Sequence, residues 1–134
     1  MTINTTNTIT PKFLKNGDCI EIVAPAKFVL LQDVKFAIDY IENEGYKVKI
    51  NSDCFSKKNV FAGSISQRTE CVQSALNNNE SQVILFARGG YGSIQIIDNI
   101  DFTIFSKNPK WLVGFSDTTS LLLHSSLKHH VKSI

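Results

Sequence analysis

A chain of 134 residues makes one ordinary domain, large enough to bury a real core but small for a two-domain enzyme. An apolar fraction of 43% with 19% charged residues excludes a disordered chain, and a net charge of +2 without a basic run argues against nucleic acid as the main partner. The uninterrupted apolar runs are strand-sized, so neither a membrane-spanning helix nor a membrane partner is expected.

Residues 1–11 are expected to form a flexible tail, since 1–10 are rich in Thr and Asn and hold no apolar segment of a secretory signal. Cys19, Cys54 and Cys71 are widely spaced, without a C-x-x-C pair or a Cys/His cluster. Free thiols in a reducing cytosol are the simple expectation, with no metal and no cofactor. His124, His129 and His130 lack H-E-x-x-H spacing, and a helix face or strand entry explains them.

Residues 16–18, Asn-Gly-Asp, read as a turn, and a strand over 19–24 then stops at Pro25. Val34, Ala37, Ile38 and Ile41 recur on one helical face, which predicts an amphipathic helix over 30–44 with Gly45 as its C-cap. A second strand over 46–50 completes a right-handed strand–helix–strand unit. The long loop 51–64 leads to a helix over 66–76, capped by Ser64 or Ser66 and buried through Cys71, Val72, Ala75 and Leu76. Residues 83–87 are nearly all apolar, as in a strand covered on both faces. A short helix after Gly92 is expected to bury Ile94, Ile96 and Ile97, and 100–105 reads as a helical turn capped by Asp101. Pro109 breaks the chain before a strand over 111–114, and the last helix, 118–130, carries Leu121, Leu122 and Leu127 as its apolar residues. Residues 131–134 look like the opening of another strand, so the chain is expected to be the first domain of a longer protein. The alternation of strands and helices is that of an α/β fold with a mostly parallel sheet and helices on both faces.

Two turns look built for chemistry. Residues 86–93, Phe-Ala-Arg-Gly-Gly-Tyr-Gly-Ser, and 111–119, Trp-Leu-Val-Gly-Phe-Ser-Asp-Thr-Thr, each break an apolar run at glycine and enter a helical pattern. In a parallel sheet the carboxyl ends of the strands share one edge, so the two turns are expected to face a common crevice. Glycines 89, 90 and 92 let backbone N–H groups approach a phosphate or an oxyanion, and they equally suit a tight connection needing positive φ. Neither G-x-G-x-x-G nor G-x-x-x-x-G-K is present, which gives a nucleotide site little support. Ser116 at a strand-to-helix turn would hold its Oγ out of the sheet near the positive end of a helix, with Gly114 leaving room. The G-x-S-x-G pattern is half met, because Thr118 stands where its second glycine belongs. Ser116 and Asp117 also suit an ordinary N-cap and first-turn acid.

Taken together, Arg88-Gly89-Gly90-Tyr91-Gly92 and Gly114-Phe115-Ser116-Asp117-Thr118-Thr119 resemble the LD-carboxypeptidases, serine peptidases of peptidoglycan recycling whose fold the microcin C immunity peptidases share. Ile22-Val23-Ala24-Pro25-Ala26, Phe61-Ala62-Gly63-Ser64 and Gln67-Arg68 resemble further markers in the family's order. The resemblance implies a Rossmann-like three-layer sandwich, with residues 12–134 as the N-terminal, nucleophile-bearing domain. It implies Ser116 as nucleophile and the backbone N–H groups of Gly90 and Asp117 as the oxyanion hole. Arg88, Gly89 and Tyr91 become substrate-loop candidates, with Arg88 either touching substrate or supporting the loop. The family's catalytic Glu and His come from a following C-terminal domain. None of His124, His129 and His130 matches that histidine, and His124 lies about 12 Å along a helix from Ser116. The implied enzyme is cytoplasmic, uses no cofactor, and removes the terminal D-alanine from murein tetrapeptides through an acyl-enzyme. The isolated chain, without its base, is then expected to be close to inert. The rivals are a self-immunity peptidase cutting a peptidyl-nucleotide antibiotic, a non-catalytic module holding an anion on the glycine turn, and a structural half that serves docking. A homodimer is left open.

Overall fold

The computed structural model describes residues 7–134. Its parallel sheet has the strand order β2-β1-β3-β4, with β1 Cys19–Val23, β2 Lys47–Ile50, β3 Ser81–Phe86 and β4 Trp111–Val113. Helices α1 Leu31–Asn43, α2 Ile65–Asn77, α3 Thr103–Lys107 and α4 Thr119–His129 alternate with the strands. Handedness explains the order: the crossover through α1 sets β2 on one side of β1, and the next two step to the other side. The order reverses between β1 and β3, which opens a crevice at their carboxyl ends.

β1 is central and buried on both faces. Val23, Ile84, Phe86 and Leu112 pack with Cys71 and Val72 of α2, Phe105 of α3 and Leu121 of α4 in the larger cluster. Ile22 packs on the other face with Val34 and Ile38 of α1, Val48, Ile50 and Leu85. Helices therefore cover both faces, in a Rossmann-like α/β sandwich. Beyond α1 the second face is open, and Ile20, Val83, Leu85, Trp111, Val113 and Ile134 line an apolar groove of about 500 Å³.

The expected ends of α1, α2 and α4 hold to within a residue, the turn expected over 100–105 forms as α3 three residues later at its start, and the caps explain them. Gly45 takes φ +88° just past α1, as a C-terminal glycine does. Ser64, not Ser66, caps α2: its Oγ accepts from the Gln67 N–H at 3.1 Å, while Gln67 Oε1 accepts from the Ser64 N–H at 2.9 Å. Asp101 Oδ1 accepts from the Thr103 N–H at 2.8 Å and starts α3.

Two expectations fail. The segment after Gly92 is a pair of 3₁₀ turns, Ser93–Gln95 and Ile97–Asn99, which bury Ile96 and Ile97 but leave Ile94 57% exposed. Two separate turns offer no continuous face to carry Ile94 inward. Leu127 is 71% exposed, because α4 buries Leu121, Leu122 and Ser125 instead. At about 100° per residue Leu127 lies on the far side of the helix from those three.

Ile134 donates its N–H to the Leu112 carbonyl and accepts from the Gly114 N–H, both at 2.9 Å, a parallel-type pairing beside β4 made by this residue, while Val131 forms an isolated bridge with Ile9. Of the expected tail, residues 1–6 lie outside the described residues. Ile9 is bonded to this last segment, donating to the His130 carbonyl at 2.7 Å and accepting from the Lys132 N–H at 2.9 Å.

Buried charges close the opposite edge of the sheet. Lys110, 3% exposed, donates to the Ala75 carbonyl at 3.1 Å, to the Asn78 carbonyl, and to Ser81 Oγ at 3.2 Å. It thus satisfies the carbonyl end of α2 with a positive charge. Burial pushes its ammonium down to about 8. Buried Glu21 accepts from Asn78 Nδ2 at 2.7 Å and so completes the cluster. The cysteines are unpaired, and burial pushes the Cys54 thiol up to about 12 and the Cys71 thiol up to about 11. Among the described residues no helix is long and apolar enough to cross a membrane.

Candidate active site

Three loops meet at the carboxyl edge of the sheet, one each after β1, β3 and β4. β4 ends at Val113 and the chain turns at once into a 3₁₀ turn, Ser116–Thr118, that feeds α4. Ser116 sits at φ +57°, a left-handed conformation that costs a non-glycine residue about 1–3 kcal/mol. The bend aims its side chain at the β3 loop. A Cβ placed on Gly89 would lie 2.9 Å from Ser116 Cβ and 3.2 Å from its Oγ. The two glycine turns are therefore in contact, and position 89 has no room for a side chain.

Gly90 follows at φ +106°, which turns the chain over the crevice. Neither the Gly90 nor the Asp117 N–H has a hydrogen-bond acceptor among the described residues, and each belongs to the residue directly after one of the contacting pair, Gly89 and Ser116. Ser116 Oγ is similarly unengaged among them, and its turn is closed by Thr118. Thr118 Oγ1 accepts from the Phe115 N–H at 3.0 Å and donates to the Phe115 carbonyl at 2.8 Å. A simple N-cap role for Ser116 is thus not what the structure displays. Asp117 is more than a first-turn charge as well: its Oδ2 accepts from the Ser93 N–H at 2.9 Å and from Ser93 Oγ at 2.6 Å. That pair of bonds clamps the β3 loop to the serine turn.

Arg88 is exposed, and its Nη1 donates to the Phe28 carbonyl at 3.2 Å, which props the β1 loop. Tyr91 is half exposed and lies against Phe61 with ring centroids 6.1 Å apart. Arg68 holds the site together from beneath, a role that sequence reasoning missed. It is 1% exposed, with Nη1 donating to the Pro25 carbonyl at 3.0 Å and the Gly92 carbonyl at 2.8 Å, and Nη2 to Gln95 Oε1 at 2.7 Å. Burial holds its guanidinium below the ordinary value, and the Asp117 carboxylate opposes that shift. The signal was present: Arg68 stands three and four residues before Cys71 and Val72, on the buried stripe of α2. Lys27 was likewise passed over, although its stem lies across Gly90.

No histidine or carboxylate bonds Ser116 Oγ among the described residues. His124 and His129 form a stack with Phe102, each with its ring centroid 4.8 Å from that of the phenyl ring, and His129 Nδ1 lies 2.9 Å from Ser106 Oγ. Burial holds both imidazoles below their ordinary value, helped by Lys128 at His124 and by the neighbouring histidines at His129. The described residues also contain no group of His, Cys, Asp and Glu able to hold a metal ion. The arrangement offers a strained serine hydroxyl beside two free backbone donors, hardware suited to acyl transfer.

The sequence pattern of the LD-carboxypeptidase N-terminal domain matches residues 20–134. A probable murein peptide carboxypeptidase of Bacillus subtilis is 30% identical over 117 residues, covering 87% of this chain and 36% of that protein. The MccF-like protein of Bacillus anthracis superposes with a TM-score of 0.86 at 25% identity, over 93% of this chain and 40% of that one. The muramoyltetrapeptide carboxypeptidase of Oxalobacter formigenes superposes at 0.76 with 30% identity, over 86% and 38%. The chain thus spans less than half the length of these relatives. With the domain pattern running through both glycine turns and Ser116, the chain belongs to the LD-carboxypeptidase family.

Proposed function

We propose that the chain is the nucleophile-bearing N-terminal part of a serine carboxypeptidase that removes the terminal D-alanine from a murein tetrapeptide. Ser116 Oγ attacks the scissile carbonyl carbon, and its proton passes to a histidine supplied by the remainder of the family's length. The carbonyl oxygen becomes an oxyanion and accepts from the N–H groups of Gly90 and Asp117. Collapse breaks the C–N bond, the amine of D-alanine leaves with the proton from the histidine, and an acyl ester remains on Ser116. Water, deprotonated by the same base, then cleaves the ester and regenerates the hydroxyl.

The observation that carries this reading is Ser116, held at φ +57° with its Oγ against the glycine loop and two unengaged N–H donors beside it. The lack of any base on Ser116 Oγ among the described residues supports the view that acid–base chemistry comes from outside the chain. The chain alone is then close to inert, since losing a triad member costs about 10⁴–10⁶ in turnover. Unpaired, buried thiols fit a reducing compartment, and we place the enzyme in the cytoplasm on that ground. The rival substrate is a peptidyl-nucleotide antibiotic: the chain superposes on the MccF-like protein at 0.86 against 0.76 for the muramoyltetrapeptide enzyme, but is 25% identical to the first and 30% to the second, and the murein peptide is kept as the first reading.

The test is release of D-alanine from a murein tetrapeptide, by this chain and by a family-length protein carrying it, with a peptidyl-nucleotide as the competing substrate. Turnover by the longer protein that disappears in Ser116→Ala is the expected result. Turnover that survives Ser116→Ala removes the nucleophile assignment, whereas a longer protein that turns over neither substrate brings forward the non-catalytic anion-binding reading. Comparable turnover by the 134-residue chain alone refutes its inertness.

A further inference from the structure

A peptidase that removes one terminal residue has to tell a free carboxylate from the next peptide link. The carboxylate carbon lies three covalent bonds from the attacked carbonyl carbon, hence within about 4 Å of it. A cation that reads it must therefore stand beside the oxyanion donors. One does. A Cβ placed on Gly90 would lie 2.8 Å from Lys27 Cγ, 2.6 Å from Cδ and 3.0 Å from Cε, so the lysine stem runs directly over the candidate oxyanion donor.

The backbone that carries the stem is held on both sides. Lys27 forms an antiparallel bridge with Phe61. On either side of it, the Ala26 carbonyl accepts from the Ala62 N–H at 2.9 Å and the Phe28 N–H donates to the Val60 carbonyl at 3.2 Å. Its ammonium has no acceptor among the described residues, whose ion pair, Lys35–Asp39, lies out on α1. Two other cations at this edge are engaged: Arg88 spends a donor on the Phe28 carbonyl, and Arg68 is bonded to the Pro25 and Gly92 carbonyls and Gln95. A lysine whose stem lies against Gly90, with no acceptor for its ammonium among the described residues, is a ready site for a small carboxylate.

We propose that Lys27 holds the terminal carboxylate of the peptide, as the group that makes the site a carboxypeptidase site; this rests on the reading of Ser116 as the nucleophile. The experiment is titration of the isotope-labelled chain with N-acetyl-L-lysyl-D-alanine and with its C-terminal amide, following the backbone amide resonances of Gly90 and Asp117. The acid is expected to bind about tenfold more tightly than the amide, the worth of one charge-assisted hydrogen bond. Lys27→Met should bring the acid down to the level of the amide, and Lys27→Arg should keep most of the preference. Resonances away from the site confirm that both variants stay folded. Equal binding of acid and amide by the parent chain, with both resonances moving, overturns the inference and leaves the peptidase reading intact. A preference that survives Lys27→Met overturns it too, and its loss in Arg88→Met would then move the role to Arg88. If neither peptide moves the Gly90 and Asp117 resonances, the inference falls, and the peptidase reading is decided separately by turnover in the family-length protein.

Discussion

Replacing Gly114 by alanine puts a methyl group 2.5 Å from Thr118 Oγ1 and 2.9 Å from Phe86 Cδ2. Both neighbours are held. Thr118 is fully buried and bonded twice to Phe115, and Phe86 belongs to the main core. Overpacking of this kind costs about 1–3 kcal/mol, from which the lower entropy of an unfolded alanine chain returns about 0.4–1. A net loss of about 1–2 kcal/mol is expected. Thr118→Ala removes the bonds to the Phe115 N–H and carbonyl and should cost about 1–2 kcal/mol by itself. In the double variant the worst contact has gone, because the colliding oxygen is absent, and the contacts with Phe86 Cδ2 at 2.9 Å and with the Cβ of residue 118 at 3.3 Å remain. The two losses should therefore fail to add, with a coupling of about 1 kcal/mol in the stabilising direction. Urea unfolding of the parent, both singles and the double measures it. Additivity within about 0.5 kcal/mol would refute the idea that Gly114 exists to admit Thr118. It would also remove the explanation for a threonine where the general serine elbow has its second glycine.

Lys110 should make the chain more stable as pH rises from 8. Its folded value of about 8 lies below the ordinary 10.5, so above pH 8 the unfolded state holds the extra proton, and each unit of rise favours the fold by up to about 1.4 kcal/mol. Cys19, Cys54 and Cys71, raised from 9.0, act in the opposite sense as pH approaches and passes that value, so the gain of about 1 kcal/mol between pH 8 and 9 is read from urea unfolding as the difference between the parent and Lys110→Met, in which the thiol contributions cancel. The histidine stack works at the acid end. Both folded values lie below the ordinary 6.5, so the stability present above that pH is lost as pH falls through them. Thermal midpoints below pH 6.5 should fall less steeply in His129→Phe than in the parent, and equal slopes would remove the stack from the account. Arg68→Lys keeps the charge but cannot span the Pro25 carbonyl, the Gly92 carbonyl and Gln95 at once, and should cost about 2 kcal/mol in urea unfolding.

Strands and helices could be read from the chain because each depends on local pattern, and the meeting of the two glycine turns followed from them because parallel strands share one carboxyl edge. The apolar stripe of α1, the cap residue before α2 and the unbroken run of β3 need no tertiary partner to be recognised. What stayed hidden depends on tertiary partners. Whether Ser64 or Ser66 capped α2 turned on where the chain bends, and the exposure of Ile94 on the chain breaking into two short turns. The Asp117 side chain looked like an ordinary first-turn acid because Ser93, its acceptor's partner, lies 24 residues away.

Arg68 and Lys27 show the same limit from opposite sides. A cation on the buried stripe of α2 is costly unless acceptors surround it, and two of its three partners are backbone carbonyls, which leave no mark in a sequence. Lys27 has no acceptor among the described residues, and it became visible only when Gly90 was found beneath its stem. Glycine at position 90 thus has two separate causes. Its backbone needs φ +106°, and its missing Cβ leaves the path of Lys27 clear. Alanine there would combine backbone strain with displacement of the lysine. Gly89→Ala would press on Ser116 and on the Phe115 carbonyl before it, without a positive-φ penalty, so comparing the two variants separates damage to the nucleophile turn from damage to the cation.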